Sequence, residues 1–240
     1  MRIFSKTIVG CVLAVGLGAN ANAADVAKAR PMAVAPVYSW NGFYAGVNAG
    51  YSWGKADTDY TLAGAALASD SVSPSGFIGG GQIGYNWQTG STVFGLEADF
   101  QGSAQEDNTT VAFTVGGVAL STAYTASVDW FGTVRGRLGY AAGGWMPYLT
   151  GGWAYASVKT EGTSTGGGFT TPFSESEVRN GWTLGAGVEA AFGSNWTWKA
   201  EYLYLDFGTI TDSTATPGGT FASSTDVTDH IGRLGVNYRF

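Results

Sequence analysis

The charged side chains of this sequence recur at alternate positions within short apolar segments. Ten of them share the less apolar face of these segments: Glu97, Asp99, Asp129, Arg135, Arg137, Glu189, Lys199, Glu201, Arg233 and Arg239. Paired carboxylates such as Glu97 and Asp99 have the chemistry for general acid–base catalysis. Because five basic groups accompany five acidic groups on the same face, a structural ion-pair network is the favoured interpretation.

The only histidine is His230. We interpret it as a polar side chain at a membrane interface, and the alternative is a haem ligand, because imidazole binds iron. A hydrolase needs a nucleophile and a base within reach of each other. Ile231 and Gly232 follow the histidine, so no hydroxyl stands next to it on the same face.

Acidic residues also occur between the apolar segments: Asp57, Asp59, Asp212, Asp226 and Asp229. They lack the spacing of a metal-binding loop, and we interpret them as parts of solvated loops. The sequence therefore predicts no catalytic residue, no cofactor-binding residue and no metal ligand, and we expect no enzyme and no cofactor.

Apolar and polar residues alternate with period two around these charged residues. Such alternation is typical of strands with one apolar face. From Trp40 onward, Phe43, Ala45 and Val47 share one face and their neighbours share the other. The pattern predicts eight strands, near 43–53, 77–87, 94–100, 128–142, 147–155, 182–192, 196–204 and 230–240. The predicted fold is all-β, an eight-stranded antiparallel up-and-down transmembrane barrel.

The two faces of the predicted strands fix the orientation of the barrel. The more apolar face carries no charge, which is expected where strands face lipid and the polar face lines the lumen. Short connections follow strands two, four and six, and four long ones, rich in Ser, Thr, Gly and Asp, follow strands one, three, five and seven. This alternation predicts short periplasmic turns and four long external loops.

Outward aromatic residues fall near the strand ends. One group lies at the turn side: Trp87, Phe94, Tyr140, Phe192, Trp196, Tyr238 and Phe240. The other lies at the loop side: Tyr51, Trp53, Phe77, Phe100, Trp130, Trp153, Tyr155, Trp182, Tyr202 and Tyr204. Two such groups are the aromatic belts expected at two membrane interfaces.

Composition excludes two other classes of protein. Of 240 residues, 14% are aromatic and only 12% are charged, whereas a disordered chain is charge-rich and aromatic-poor. Beyond the N-terminus there is no apolar run of about 18 residues, as a membrane-spanning helix requires. The net charge of −6 argues against nucleic acid as a partner.

Residues 1–23 have the pattern of a signal peptide. Arg2 and Lys6 precede an apolar stretch that ends at Ala21-Asn22-Ala23, a small-residue cleavage site. Cleavage would remove Cys11, the only cysteine, and leave a chain without a thiol. Residues 24–39 are predicted to form a flexible periplasmic segment, and 40–240 the barrel.

Several motifs resemble the alphaproteobacterial outer-membrane protein family, whose members are similar to the OmpA and OmpX barrels. They are Trp40-Asn41-Gly42-Phe43-Tyr44-Ala45-Gly46, Gly50-Tyr51-Ser52-Trp53-Gly54, Ala200-Glu201-Tyr202-Leu203-Tyr204-Leu205-Asp206 and Val236-Asn237-Tyr238-Arg239-Phe240. The resemblance covers roughly residues 38–240 and implies a porin-like surface protein in the outer membrane of a Gram-negative cell. Some members bind haem, and the family implies no catalytic residue.

We therefore predict a structural barrel that presents surface loops, with a lumen filled by an ion-pair network. Six inward glycines leave room for water in the prediction, so a narrow porin-like channel is the first alternative: Gly46, Gly50, Gly80, Gly84, Gly185 and Gly187. Binding of haem or a host ligand by the loops is the second alternative. The expected partners are outer-membrane lipid and, during assembly, the barrel-insertion machinery, and the external ligand stays unknown.

Overall fold

The computed structural model describes residues 38–115, 118–216 and 218–240. Its strands are β1 (Gly42–Leu62), β2 (Ala65–Val72), β3 (Ser75–Thr89), β4 (Thr92–Val115), β5 (Val118–Tyr140), β6 (Trp145–Gly166), β7 (Phe169–Ala191), β8 (Trp196–Thr216) and β9 (Gly219–Arg239). Within these described ranges, no helix is both long and apolar enough to cross a bilayer.

Eight of the strands close into a barrel. Consecutive strands from β3 to β9 pair antiparallel, and β1 pairs with β3 at one edge and with β9 at the other. Closure satisfies the backbone groups that an open sheet would expose to lipid. The predicted eight-stranded antiparallel barrel is confirmed, and β2 is an additional strand that pairs with the outer part of β1.

The predicted long loops are wrong in one respect, because the structure folds them as strands. β1 continues to Leu62, and β4 to β9 likewise extend well beyond the predicted strand ends. The hairpin between β1 and β2 turns at Ala63 and Gly64, which both have positive φ, as a two-residue type I′ turn requires. These Ser- and Thr-rich extensions form ribbons that continue beyond the loop-side aromatic belt.

The extensions form two separate ribbons. The first ribbon consists of residues 55–62 of β1, β2, 209–216 of β8 and 219–228 of β9. The second ribbon consists of 105–115 of β4, 118–128 of β5, 157–166 of β6 and 169–181 of β7. Among the described residues, backbone pairing between the two ribbons stops at Ser75–Glu106 on one side and at Trp182–Asp206 on the other.

Irregularities in three strands lie where the ribbons leave the barrel. The register shifts between Gly102 and Gln105 in β4, between Val128 and Trp130 in β5, and between Asp206 and Thr209 in β8. A bulge bends its strand and increases the local twist. These bulges therefore turn the strands apart at the loop-side rim of the barrel.

The predicted faces of the strands are confirmed with one exception. Outward Phe43, Leu184 and Leu234 are well exposed, and the aromatic belts lie on the same outer face. Nine of the ten charged residues predicted to face inward are buried. Asp129 is the exception and is exposed, because the bulge between Val128 and Trp130 takes it out of the alternation.

The predicted signal peptide, residues 1–23, lies outside the described residues, as do residues 24–37 of the predicted flexible segment. The chain is described from Tyr38 onward, and Trp40 is fully buried at the turn-side mouth of the barrel. Its indole nitrogen donates to the carbonyl of Gly143 at 3.2 Å, and Gln88 accepts from its backbone N–H at 2.6 Å.

Candidate functional site in the lumen and above it

Charged side chains from β4, β5, β7, β8 and β9 meet at mid-height in the lumen. Four carboxylates and four cations form this group, which we call the lumen network: Glu97, Asp99, Glu189, Glu201, Arg135, Arg137, Lys199 and Arg233. All eight side chains are 5% exposed or less. Equal numbers of the two signs make the network neutral, which a buried cluster of charges requires.

Arg135 is the centre of the lumen network. Its guanidinium pairs with Glu97, with Asp99 at 2.9 Å and with Glu201 at 3.1 Å. Thr133 accepts a further hydrogen bond from its Nε at 2.8 Å. A planar guanidinium with five donors suits several carboxylates at once.

Arg233 and Arg137 extend the network to both sides. Arg233 pairs with Glu201 at 2.6 Å and with Asp99 at 2.9 Å. Arg137 pairs with Glu189 at 2.8 Å and stacks over the Tyr148 ring, with 4.0 Å between the guanidinium carbon and the ring centroid. A cation over an aromatic ring is attracted by the negative face of the ring.

Lys199 pairs with a different carboxylate from the one that its strand register indicates. The predicted register is confirmed, since Glu189 and Lys199 stand opposite each other on β7 and β8. The predicted ion pair between them is wrong, because the Lys199 ammonium bonds to Glu97 at 3.0 and 3.1 Å. Glu189 instead accepts from Arg137 and from Asn237, the latter at 3.0 Å.

Two of the inward glycines, Gly84 and Gly187, make space for neighbouring tyrosine side chains. A Cβ on Gly84 would collide with the hydroxyl end of Tyr44, and one on Gly187 would collide with Tyr148. The Tyr44 hydroxyl donates to Glu97 at 2.8 Å and the Tyr148 hydroxyl to Glu201 at 2.9 Å. The two tyrosine side chains therefore occupy the space beside Gly84 and Gly187.

Apolar side chains lie on both sides of the lumen network. On the turn side, Trp40 packs with Val93, Met146 and Tyr148. On the ribbon side, a second buried cluster contains Ile78, Phe131, Ala154, Ala156, Leu203, Leu205 and Ile231. The polar core of the lumen is thus bounded above and below by apolar layers.

Two other charged residues differ in their surroundings from the lumen network. Asp229, predicted to lie in a solvated loop, is 7% exposed and accepts from Ser52 at 2.6 Å and from Gln105 at 3.1 Å. Arg239 is buried at the turn-side mouth, where it donates to the carbonyl of Asn41 at 2.9 Å and lies over the Tyr38 ring. The alternation of β9 places Asp229 inward, and that signal was available in the sequence.

His230 lies on the outer face of β9, as predicted. Its Nδ1 is 2.6 Å from the Tyr202 hydroxyl, and its ring packs against Tyr204 with centroids 5.2 Å apart. Across the barrel seam it stands opposite Trp53 of β1. The histidine is therefore part of the loop-side aromatic belt. Over the described ranges, no group of three or more His, Cys, Asp or Glu side chains is arranged to hold a metal ion.

A cleft lies between the inner faces of the two ribbons, with a volume of about 710 Å³. Val72, Pro74, Val128, Val158 and Val227 form apolar parts of its lining. Aromatic and charged side chains complete it: Tyr60, Tyr124, Phe173, Glu175, Glu177, Arg179 and Asp212. The cleft was not predicted from the sequence, because these aromatic and charged residues were assigned to loops.

Two tyrosines connect the ribbons inside the cleft. The Tyr124 hydroxyl of the second ribbon donates to Asp70 of the first ribbon at 3.3 Å. Burial, together with the charge of nearby Asp70, raises the pKa of both Tyr60 and Tyr124 above the usual range of a phenol. Both hydroxyls therefore stay protonated at neutral pH, and Tyr124 keeps the proton that it donates to Asp70.

The comparisons with known proteins agree with this architecture. Residues 10–240 match the family model described as outer membrane protein beta-barrel domain. The chain is 39% identical over 247 aligned positions to the 31 kDa outer-membrane immunogenic protein of Brucella melitensis biotype 1, covering 98% of this chain and all of that protein. It is 30% identical to the 22 kDa outer membrane protein of Rhizobium leguminosarum bv. viciae, covering 75% of this chain and 70% of that protein.

Solved structures give a more distant likeness. Neisserial surface protein A shares 14% sequence identity, with a TM-score of 0.37 over 83% of this chain and 97% of that one. The outer membrane protein OprG from Pseudomonas aeruginosa shares 12%, with a TM-score of 0.44 over the same fractions of both chains. On the family match and its close relatives, the chain belongs to the alphaproteobacterial family of outer-membrane β-barrel proteins, and its place is the outer membrane.

Proposed function

We propose that the protein is a structural outer-membrane barrel that holds two β-ribbons at the cell surface and whose lumen is closed to ions and solutes. The observation that carries the proposal is the burial of the lumen network, in which Arg135 and Lys199 are each 1% exposed or less. The interior of an eight-stranded barrel is just wide enough for side chains to fill. A neutral network of ion pairs and hydrogen bonds is a filling of this kind.

The two apolar layers support the same proposal. A solute or hydrated ion entering from either side would meet Trp40 and Met146 or Phe131 and Leu203 before it reached the lumen network. Removing the hydration shell of an ion in an apolar layer is costly. A narrow channel loses the support that the inward glycines gave it, because Tyr44 and Tyr148 occupy the space beside Gly84 and Gly187.

A single-cysteine experiment tests the closure. The chain from residue 24 onward contains no cysteine, so each variant carries only the thiol that is introduced. Ala154→Cys places a small thiol side chain at a fully buried, inward-facing position of β6. Ser223→Cys places the same side chain in the cleft. Both variants are folded into vesicles and treated with a membrane-impermeant maleimide.

We expect the Ser223→Cys variant to react rapidly, and the Ala154→Cys variant to react only after unfolding in urea. Similar reaction rates of the two folded variants would mean that water and solutes reach the lumen. That result would favour the porin-like channel.

A further inference from the structure

The two ribbons leave strand edges unpaired on both sides of the cleft, and the gap between β7 and β8 is the more open of the two. β7 pairs with β8 only over Trp182–Ala191, so the edge of β7 at 169–181 and the edge of β8 at 209–216 have no strand beside them among the described residues. We call this gap the open seam. Long exposed edges present a row of free N–H and C=O groups and are a template for pairing with another chain.

The opposite gap, between β2 and β4, is closed by side chains. The backbone N–H of Ser73 donates to Asp107 at 2.9 Å, and Tyr124 donates to Asp70 at 3.3 Å. Within the described part of the chain, no side-chain hydrogen bond of this kind joins 169–181 to 209–216. The open seam is therefore the side of the cleft at which an extended segment can add to the sheet.

A bulge holds the open seam apart at its base. Gly208 in β8 has φ +72°, a conformation that favours glycine, and Asp206 accepts from its N–H at 2.8 Å. Below the bulge β8 pairs with both β7 and β9, and above it β8 pairs with β9 alone. The backbone conformation at Gly208 thus keeps β7 and β8 apart above the rim of the barrel.

The ribbons carry a large excess of negative charge. They contain three basic residues, Lys55, Lys159 and Arg179, and ten acidic residues: Asp57, Asp59, Asp70, Glu106, Asp107, Glu161, Glu175, Glu177, Asp212 and Asp226. A surface of one sign attracts ligands of the other sign and repels its own. Polyanions such as nucleic acid or sulfated sugars are disfavoured, and cationic ligands are favoured.

Three of these carboxylates line the cleft at the open seam. Glu175 and Glu177 are two residues apart on β7, and Asp212 lies on β8 across the gap. Glu177 also pairs with Arg179 on its own strand, whereas Glu175 and Asp212 have no cationic partner among the residues that the structure describes. Side chains on an added strand alternate with the same period of two and would stand opposite this row.

We infer that the open seam is a docking site for an extended, basic polypeptide segment, which adds as a strand to the edge of β7 and directs alternate Lys or Arg side chains at Glu175, Glu177 and Asp212. Strand addition supplies affinity through backbone hydrogen bonds, and the pockets for alternate side chains supply specificity. The apolar lining, including Val158 and Phe173, accommodates the aliphatic stems of those basic side chains.

A titration with synthetic peptides tests the inference on the full barrel in phosphatidylcholine vesicles. The probe is a fluorescent peptide of about eight residues that alternates Lys and Thr. The first control peptide alternates Lys and Pro, which keeps the charge and removes every second N–H donor. The second alternates Glu and Thr, which keeps the strand propensity and reverses the charge. We expect saturable binding of the Lys–Thr peptide only.

The variant Glu175→Gln/Glu177→Gln should weaken binding of the Lys–Thr peptide about five- to tenfold, since two partly exposed ion pairs are removed. The matched control is Asp57→Asn/Asp59→Asn, which removes the same charge from exposed positions that do not line the cleft. It should change binding less than about twofold. Equal losses in both double variants would overturn the inference, because binding would then follow total charge rather than this site.

Hydrogen exchange supplies a readout that does not depend on any variant. Addition of the Lys–Thr peptide should slow amide exchange in 169–181 and leave the β2–β4 side unchanged. Unchanged exchange along β7 in the presence of saturating Lys–Thr peptide would exclude strand addition. The test does not depend on whether the lumen is closed, so its failure and the failure of the proposed function are distinguishable.

Discussion

Arg135 shows how a charged side chain is stabilised inside a membrane barrel. It is 1% exposed, yet three carboxylates and a threonine hydroxyl surround its guanidinium. Burial of a lone charge is costly, and only good geometry with further hydrogen bonds offsets that cost. The network therefore stabilises the barrel only as a complete set, and loss of one member leaves another charge unpaired.

Loss of the Lys199 charge should show this dependence on a complete network. Lys199→Met leaves the Glu97 carboxylate without the ammonium that bonds to both its oxygens, and should destabilise the barrel by roughly 3–5 kcal/mol. Adding Glu97→Gln restores neutrality and should recover part of the loss, whereas adding Glu189→Gln should recover less. Urea unfolding in lipid vesicles, arranged as two double-mutant cycles, measures both coupling energies. Stronger coupling of Lys199 to Glu189 would show that the cross-strand pair forms instead.

Two glycines of β3 differ in the space beside them. A Cβ on Gly84 would collide with the ring of Tyr44, whereas Gly81, on the outer face, has only the carbonyl oxygen of Gly46 at 3.6 Å. Gly84→Ala should destabilise the barrel by about 1–3 kcal/mol through overpacking. Gly81→Ala is the matched control on the same strand and should have little effect. Equal urea midpoints for the two variants would contradict the described packing of Tyr44.

At the scale of the strands, the lipid-facing surface sets the register. Leu184 on β7 is 58% exposed on the outer face and lies between the two aromatic belts. Leu184→Arg should cost roughly 2–4 kcal/mol if the position is near the bilayer midplane. Thr171→Arg, on the part of β7 outside the bilayer, is the control and should be nearly neutral. A urea midpoint of Leu184→Arg equal to that of the wild type would mean that this position does not face lipid.

The membrane-spanning parts of the strands could be predicted from the sequence because lipid and lumen impose opposite polarity on alternate residues. Phe43, Ala45 and Val47 show that alternation directly. The ribbons could not be predicted in this way, because water lies on both of their faces and Ser, Thr and Gly occur on each. Their strand structure depends on pairing with neighbours, as in the hairpin that turns at Gly167 and Gly168.

The lumen network could be predicted only as a set. Alternation shows which charges face inward, and this was correct for Glu97, Arg135 and Lys199. The partners depend on distances across the lumen, and these depend on how the sheet closes. Lys199 reaches Glu97 on β4 for this reason, although Glu189 is opposite it on the neighbouring strand. Asp129 was misplaced because a bulge leaves no signal in the polarity pattern.

At the scale of the whole molecule, we expect assembly to depend on the C-terminal end of β9. Phe240 is 79% exposed on the outer face, and Tyr238 lies on the same face two residues before it. We expect the barrel-insertion machinery to bind this aromatic end, so deletion of Phe240 should lower the amount of protein in the outer membrane. Heat-modifiable barrel in isolated outer membranes gives the measurement, with Phe240→Tyr as the control that keeps an aromatic ring. Normal levels of the deletion variant would exclude this role.

Single-channel recording in planar lipid bilayers tests the central proposal most directly. The chain from residue 24 to 240 is folded, inserted and recorded beside a known porin, which shows that the bilayer reports a channel. A lumen filled by the network around Arg135 and bounded by Trp40 and Phe131 predicts no conductance above the baseline. Steady and reproducible conductance steps from the wild-type barrel would contradict the closed lumen and would favour a narrow pore.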